Sequence, residues 1–385
     1  MTASRVASLK PTAVNSILAE VRELQAQGRE LLSLMRGEPD FRTPEHISEA
    51  AARALRNGRT MYPDNRGENT LREAVAEKLQ RDNGLAYDAG SEILVTTGAT
   101  FGIYAALMAM IDDGDEVLLP DPIYDAYQSP IRLAGGVSRP VRAAVEGGRF
   151  RLTMEALEAA WTPRCKVLLL NTPWNPVGTV LTAAEIGEIC DFVERRNMML
   201  VSDEIYEAIV FEGRRHVSPS LRERTVLVNS LSKTYAMPGW RVGYCAGPAA
   251  VIRAMLLVLQ QSSRGPSTFV QDAAAVALTG PQDCVAEMVT EYARRRKAVL
   301  DGLRGIRGCE VLAPEGGFFA MVDVRGLGMS SNEIRRKLLT QSGVVVIHGA
   351  AYGEGGEGTL RVSFASGGPG LARGLAWLRM GLERI

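Results

Sequence analysis

Lys233 closes the segment Ser230-Leu231-Ser232-Lys233, which directly follows the apolar run Thr225–Asn229. A lysine in a small-residue loop at a strand end, desolvated or near other cations, has a lowered pKa, and its neutral amine becomes nucleophilic. Arg241, eight residues further on, supplies such a cation and a planar fork that matches phosphate. Ser230 and Ser232 add hydroxyl donors. A second run, Met198–Ser202, ends in Asp203-Glu204-Ile205-Tyr206. A carboxylate placed there needs a cation or hydrogen-bond donors, or caps a helix, and Tyr206 offers a phenol to the same ligand. Val167–Asn171 leads into Asn171-Thr172-Pro173-Trp174-Asn175-Pro176-Val177-Gly178. Its prolines and glycine forbid regular structure and hold Trp174 and Asn175 in a sharp turn, an Asx turn at Asn175 being the plainer reading. Finally, Ile93–Thr97 precedes Gly98-Ala99-Thr100 and a helical pattern. A helix start made of small residues presents backbone N–H groups to a phosphate, unless Thr100 is only a cap.

Together these groups specify a ligand. It has a phosphate for Gly98–Thr100, Ser230 and Arg241, an electrophilic carbon for Lys233, an oxygen near Tyr206 and Asn175, and a basic nitrogen for Asp203. Pyridoxal 5'-phosphate presents all four, and a lysine Schiff base with an acidic partner on the ring nitrogen is its established signature.

The elements that must position these residues are strands alternating with helical patterns. Candidate strands are Ile93–Thr97, Val117–Pro120, Val167–Asn171, Met198–Ser202, Thr225–Asn229 and Arg241–Ala246, with helices over Phe101–Ile111 and Ala183–Arg196 between them. Such alternation predicts an α/β fold, a mostly parallel sheet covered on both faces in three layers, with ligands at the carboxyl ends of its strands. From about Pro281 the texture changes to a long charged helix, Val285–Leu303, short strands around Val311, Gly317–Asp323, Val344–Ile347 and Leu360–Phe364, and a final helix, Leu371–Leu382. The 385 residues therefore divide into a large cofactor-binding domain, 46–280, and a smaller α+β domain of 1–45 plus 281–385.

The sequence resembles the class I/II aminotransferases among the fold-type I pyridoxal-phosphate enzymes, near the aspartate and aromatic branch. The likeness runs from Gly37-Glu38-Pro39-Asp40-Phe41 to Leu360-Arg361-Val362-Ser363-Phe364, and is most specific at Ser230-Leu231-Ser232-Lys233 through Gly239-Trp240-Arg241-Val242-Gly243. The resemblance implies that Lys233 forms the Schiff base and then moves the proton between substrate Cα and cofactor C4′, with Asp203 keeping the ring nitrogen protonated. It implies that Tyr206 and Asn175 hold the phenolic oxygen, that Tyr124 stacks on the ring, and that Ser230, Arg241 and the Gly98, Ala99 and Thr100 backbone hold the phosphate. Arg361 would grip the substrate carboxylate, helped by Asn175 and the Gly37 backbone, and Tyr62 would reach the phosphate of a neighbouring subunit, making the dimer part of the site.

Three positions depart from the family pattern. Val177 replaces a common threonine, Trp174 occupies a position on the substrate side, and His348 replaces a proline beside the entrance. The implied activity is transfer of an amino group from an L-amino acid to a 2-oxo acid by a homodimer. β-Elimination or cyclisation on the same fold is the alternative that Trp174 and His348 keep open. A regulator that binds the cofactor as a sensor is disfavoured, because 44 basic and 44 acidic residues cancel and give no nucleic-acid footprint. Cys165, Cys190, Cys245, Cys284 and Cys309 are scattered, and His46, His216 and His348 form no close pair, so no metal site is expected. With no signal-peptide or membrane-span pattern, a cytoplasmic enzyme without membrane contact is expected. Gly353-Glu354-Gly355-Gly356-Glu357-Gly358 precedes a strand and opens no helix, which predicts a flexible turn, and Arg294–Lys297 reads as a solvated helix face.

Overall fold

Continuous apolar runs must be buried on both faces, which a sheet between helices achieves. The computed structural model describes residues 3–7, 9 and 11–385, so residues 1, 2, 8 and 10 of the segment 1–45 lie outside the described residues. It places seven runs in one sheet: β1 (Ile93–Thr96), β2 (Glu116–Asp121), β3 (Val137–Arg142), β4 (Cys165–Asn171), β5 (Met199–Asp203), β6 (Thr225–Ser230) and β7 (Gly243–Ala246). Their spatial order is β1-β7-β6-β5-β4-β2-β3. Neighbours are parallel except at β7, which runs antiparallel to both β1 and β6. Edge strand β3 contains Ser138, Arg139, Pro140 and Arg142, so no apolar run marks it in the sequence.

The strand expected over Arg241–Ala246 begins only at Gly243. Arg241 has left-handed backbone angles, φ 54 and ψ 48, which no strand accommodates. Gly243 pairs with Thr96 on one side and Ser230 on the other. A Cβ on it would lie 2.7 Å from the Asn229 carbonyl oxygen and 3.0 Å from the Ala99 nitrogen, so the strand can insert there only with glycine.

Six helices matter for the site: α1 (Ala13–Ala26), α2 (Ala99–Met110), α3 (Ala183–Arg195), α4 (Leu231–Thr234), α5 (Asp283–Leu303) and α6 (Gly368–Glu383). Thr182 and Glu185 form a capping box that starts α3. A second, antiparallel sheet is ordered β8 (Glu310–Leu312), β9 (Phe319–Asp323), β11 (Thr359–Ser363), β10 (Ile347–His348). The single strand expected over Val344–Ile347 is therefore two. Val344–Val345 pairs in parallel with Leu32–Ser33, and only Ile347–His348 joins β11. Leu34 continues from that pairing into the core of Val299, Phe364 and Leu378.

Two surface expectations are corrected. Arg294 and Lys297 are exposed, but Arg295 and Arg296 face inward because successive helical residues diverge by about 100°. Arg295 bonds Asp40 at 2.8 Å and the Ala365 carbonyl at 2.6 Å, and Arg296 bonds Glu212 at 2.7 Å and the Pro314 carbonyl at 2.6 Å. The glycine-rich turn is packed rather than loose. Gly355 N–H donates to Asp121 Oδ2 at 3.0 Å, and a Cβ on Gly353 would lie 1.9 Å from Asp121 Oδ1.

A buried polar network supports the ends of β5 and β6. Glu204 accepts from Ser202 and Ser218 and lies 2.7 Å from His216 Nε2. Glu207 accepts from Lys78, Asn83 and Asn229, and Asn229 Oδ1 takes the Ser230 N–H at 2.7 Å. Burial pushes the His216 imidazole down, but Glu204 and Glu207 outweigh it, so its pKa is raised. A raised imidazole contributes stability that is complete below its unfolded pKa of about 6.5 and is lost as pH rises through the folded value. The thermal-midpoint gap between wild type and His216→Gln should therefore narrow from about pH 6 to about pH 9, as read by calorimetry. A constant or widening gap would contradict the ion pair.

Candidate active site

The carboxyl ends of β1, β4, β5 and β6 open on a cavity of about 370 Å³. Ala99 and Thr100, Asn171, Asp203, and Ser230 line it from those ends. Lys233 enters from α4, a single turn whose N-cap Ser230 accepts the Ser232 N–H at 3.3 Å. Its Nζ donates to the Gly37 carbonyl at 2.7 Å. Burial lowers the Lys233 ammonium to about 8, helped by Arg241 and Arg361 and opposed by Glu38 and Asp203. Gly37 therefore meets this lysine through its carbonyl.

Asp203 ends β5 and is 4% exposed. The Tyr127 hydroxyl donates to Oδ2, and the Ile205 N–H reaches Oδ1 at 3.2 Å. Burial raises the carboxyl to about 6, against the pull of those two donors and of Lys233. Among the described residues no cation pairs with it directly. Tyr206 lines the same cavity with its hydroxyl bonded to no described residue, and burial raises its pKa strongly. Tyr124 also lines the cavity and meets Tyr127 edge to face, 5.4 Å between centroids.

The turn after β4 divides its work between two asparagines. Asn171 Oδ1 accepts the Asn175 N–H at 2.7 Å, while Asn171 Nδ2 donates to the Asp203 carbonyl at 2.9 Å. The Asx contact thus belongs to Asn171, and the Asn175 side chain is left to accept from Arg361 at 3.2 Å. Trp174 is not a cavity residue. It is 2% exposed in the main core, where its indole N–H donates to the Pro122 carbonyl at 2.9 Å.

Arg361, on β11, is 2% exposed. Its guanidinium donates to Asn175 Oδ1 and, at 3.0 Å, to the Met35 carbonyl, and lies 4.0 Å from the centroid of Phe319. Its Nε has no partner, and no carboxylate within ion-pair distance neutralises it among the described residues. A buried guanidinium held this way is built for an external carboxylate. The anion pole lies at the start of α2. Gly98, φ +80, is the N-cap and contributes no side chain, so first-turn N–H groups face outward. A Cβ on Gly98 would lie 2.7 Å from Arg241, whose Nη1 is tied to the Pro238 carbonyl at 3.0 Å. Ser230 and Ser232 line the same end.

A phosphate, an aldehyde and a protonatable ring nitrogen match these three poles, so the donor set fits pyridoxal phosphate. Two residues named from the sequence lie off the cavity. Tyr62, expected to reach a neighbouring subunit's site, is 87% exposed, with Arg264 5.8 Å from its ring, and does not line the cavity. His348 sits on β10 and does not line the cavity either. Sequence reasoning missed Tyr127, Asn171 and the start of α1. Thr12 and Asn15 line the cavity there, and Asp125 Oδ2 accepts the Ala13 N–H at 2.8 Å. The spacing of Tyr124 and Tyr127 was the one available signal.

A family model described as aminotransferase class I and II matches residues 29–375. The chain is 36% identical over 374 residues to an aspartate aminotransferase of Geobacillus stearothermophilus, covering 94% of each. It is 40% identical over 358 residues to aromatic-amino-acid aminotransferase 2 of Thermococcus litoralis, covering 90% of this chain and 91% of the other. The solved aspartate aminotransferase of Rhizobium meliloti is similar at TM-score 0.96 and 36% identity, over 100% of this chain and 99% of that one.

Removing the buried cation tests the carboxylate pole. Arg361→Gln should weaken binding of pyruvate, measured calorimetrically, by about 2–5 kcal/mol, the scale for one member of a buried charge pair. Unchanged affinity would place the carboxylate elsewhere.

Proposed function

This chain belongs to the class I and II aminotransferases, and from that premise we propose a reversible two-stage exchange of an amino group between an L-amino acid and a 2-oxo acid at the cavity around Lys233. It is a pyridoxal-phosphate-dependent transaminase of fold type I. The observation that carries the site assignment is the pairing, in one cavity, of a desolvated lysine with a buried carboxylate that has no direct cation among the described residues.

Pyridoxal phosphate, when bound, supplies an aldehyde and a conjugated ring able to take up the electron pair released at substrate Cα. Each remaining role falls to a residue of the chain. Arg361, steadied by Asn175, binds the substrate carboxylate and so orients the Cα–H bond. Lys233 serves as the amine that anchors the cofactor and then as the base at substrate Cα. Asp203, held by Tyr127, keeps a proton on the ring nitrogen. Tyr206 and Asn175 donate toward the phenolic oxygen, Tyr124 covers the ring, and Arg241, Ser230, Ser232 and the Gly98–Thr100 backbone hold the phosphate. In the balanced exchange, nitrogen leaves the donor, water supplies the oxygen of the 2-oxo acid released, and the acceptor reverses both steps.

The same proposal includes a homodimer with shared sites, supported by Met61, Tyr62 and Leu257, apolar or aromatic side chains exposed by 60% or more. It also includes the division into 46–280 and 1–45 plus 281–385, supported by the pairing of Leu32–Ser33 with Val344–Val345. Five unpaired cysteines fit a cytoplasmic location, and no helix among the described residues is long and apolar enough to cross a membrane. The elimination and cyclisation alternative rested on Trp174 and His348, neither of which lines the cavity.

Lys233→Ala should abolish amino exchange with every donor. For the cofactor-free wild type, the rate of pyridoxal phosphate capture should rise with pH through a midpoint at about 8, because the neutral amine is the nucleophile. Retained exchange in the variant, or a midpoint near the ordinary lysine value of about 10.4, would refute the assignment.

A further inference from the structure

The helical turn α4 is a wall shared by two cavities. Ser232 and Lys233 line the catalytic one, whereas Leu231 and Thr234 line a second, of about 700 Å³. Ser230 touches both. Small-molecule sites commonly enclose about 300–1,000 Å³. Leu278, with Val285 and Val289 of α5, gives the second cavity apolar walls. None of Met61, Tyr62 and Leu257, the exposed side chains that support the dimer, lines it.

Its polar groups differ in depth. Tyr244, on β7, is 2% exposed, and its hydroxyl bonds no described residue. That oxygen keeps access to the cavity, unlike the sealed hydroxyls of Tyr87, Tyr292 and Tyr352. Burial raises the Tyr244 pKa well above the ordinary phenol value, so the group stays protonated and can donate. Buried donors are normally matched by an acceptor, and here the cavity must supply it. Nearer solvent, Lys78 is committed to Glu207, Arg81 to Asp82, Arg214 to Glu315 and His216 to Glu204. Arg215, exposed on the same lining, bonds no described residue. An inner donor and an outer cation separated by apolar walls match a ligand with an oxygen at each end of an apolar body, one end being anionic. The rings of Tyr235 and Tyr244 favour an aryl body.

We propose that this second cavity is an effector site for an amphipathic carboxylate of the hydroxyaryl acid class, its carboxylate on Arg215, its ring against Leu231, Leu278 and Val285, and its distal oxygen on the Tyr244 hydroxyl. A ligand so placed rests on the residues of α4 that flank Lys233. It also adjoins Glu207 and Asn229, whose contacts end on the Ser230 N–H. Lys233 must leave the Gly37 carbonyl to meet an aldehyde, and a buttressed turn resists that movement. Occupation of the second cavity therefore weakens cofactor capture. This coupling rests on the transaminase reading, whereas the binding does not.

The probes are 3-(4-hydroxyphenyl)propionate and 3-phenylpropionate, titrated calorimetrically into Arg361→Gln holoenzyme, whose catalytic cavity lacks its carboxylate partner. The hydroxylated probe should bind once per chain and about fivefold tighter than the other. Adding Tyr244→Phe, which removes only a hydroxyl, should erase that difference and leave 3-phenylpropionate unchanged. Adding Arg215→Gln instead should weaken both probes about fivefold, the upper range for an exposed ion pair. In cofactor-free Arg361→Gln, the hydroxylated probe should weaken equilibrium capture of pyridoxal phosphate about fivefold, and Arg215→Gln should relieve that effect. Equal affinity for the two probes, or a difference that survives Tyr244→Phe, overturns the site. Capture that the probe leaves unchanged or strengthens, or weakening that persists in Arg215→Gln, overturns the effector role. A wild type that exchanges no amino group would instead sink the transaminase reading and leave the binding result standing.

Discussion

A carboxylate enclosed at the end of β5, with hydrogen-bond donors on it but no cation among the described residues, is the constraint around which the cavity is arranged. Asp203 is held by Tyr127 and by the Ile205 N–H, and burial nevertheless raises it to about 6. Lys233 faces the converse penalty and falls to about 8. The same desolvation moves an acid up and a base down, so both groups are poised to exchange protons near neutral pH. A ligand carrying a protonated ring nitrogen and an aldehyde relieves both at once. The anionic half of the ligand has its own waiting partners in Arg241 and the start of α2. Arg361, buried against Phe319 without an acidic partner among the described residues, answers the substrate in the same way.

Backbone geometry makes that arrangement possible. The antiparallel strand β7 is inserted between β1 and β6, so Gly243 faces Thr96 and Ser230 together, and the two loops that follow those residues are brought side by side. Arg241 reaches the gap only from left-handed backbone angles, a conformation that costs about 1–3 kcal/mol. The Pro238 carbonyl fixes its guanidinium. Behind the sheet, Lys78, Glu207 and Asn229 form a relay of contacts that ends on the Ser230 N–H, so the loop bearing Lys233 is braced from the side opposite its ligand.

Residues at the strand ends were legible in the sequence for a physical reason. Strands buried on both faces read as unbroken apolar runs, and a polar residue directly after one stands out. Asp203 was found in this way, Lys233 and Asn175 in the short loops that follow such runs, and Arg241 by its spacing from Lys233. Contacts that join distant segments leave no such mark. Tyr127 reaches Asp203 across 76 residues of chain, and Asp125 meets Ala13 across 112. Residue type alone misled at Trp174, whose indole fills the core because the Pro122 carbonyl accepts its N–H. The charged run on α5 misled because composition does not reveal which side of a helix faces inward; Arg295 and Arg296 tie it to Asp40 and Glu212. The glycines of residues 353–358 signalled flexibility, yet they serve close approach to Asp121.

All of this depends on one amine meeting one aldehyde above one carboxylate. Reduction of the protein with borohydride in the presence of pyridoxal phosphate, followed by peptide mass mapping, reads that meeting directly. A single stable adduct per chain, on the peptide containing Lys233, is the predicted result. An adduct absent from that peptide, or spread over Lys78, Lys166, Lys297 and Lys337 without preference, would contradict it.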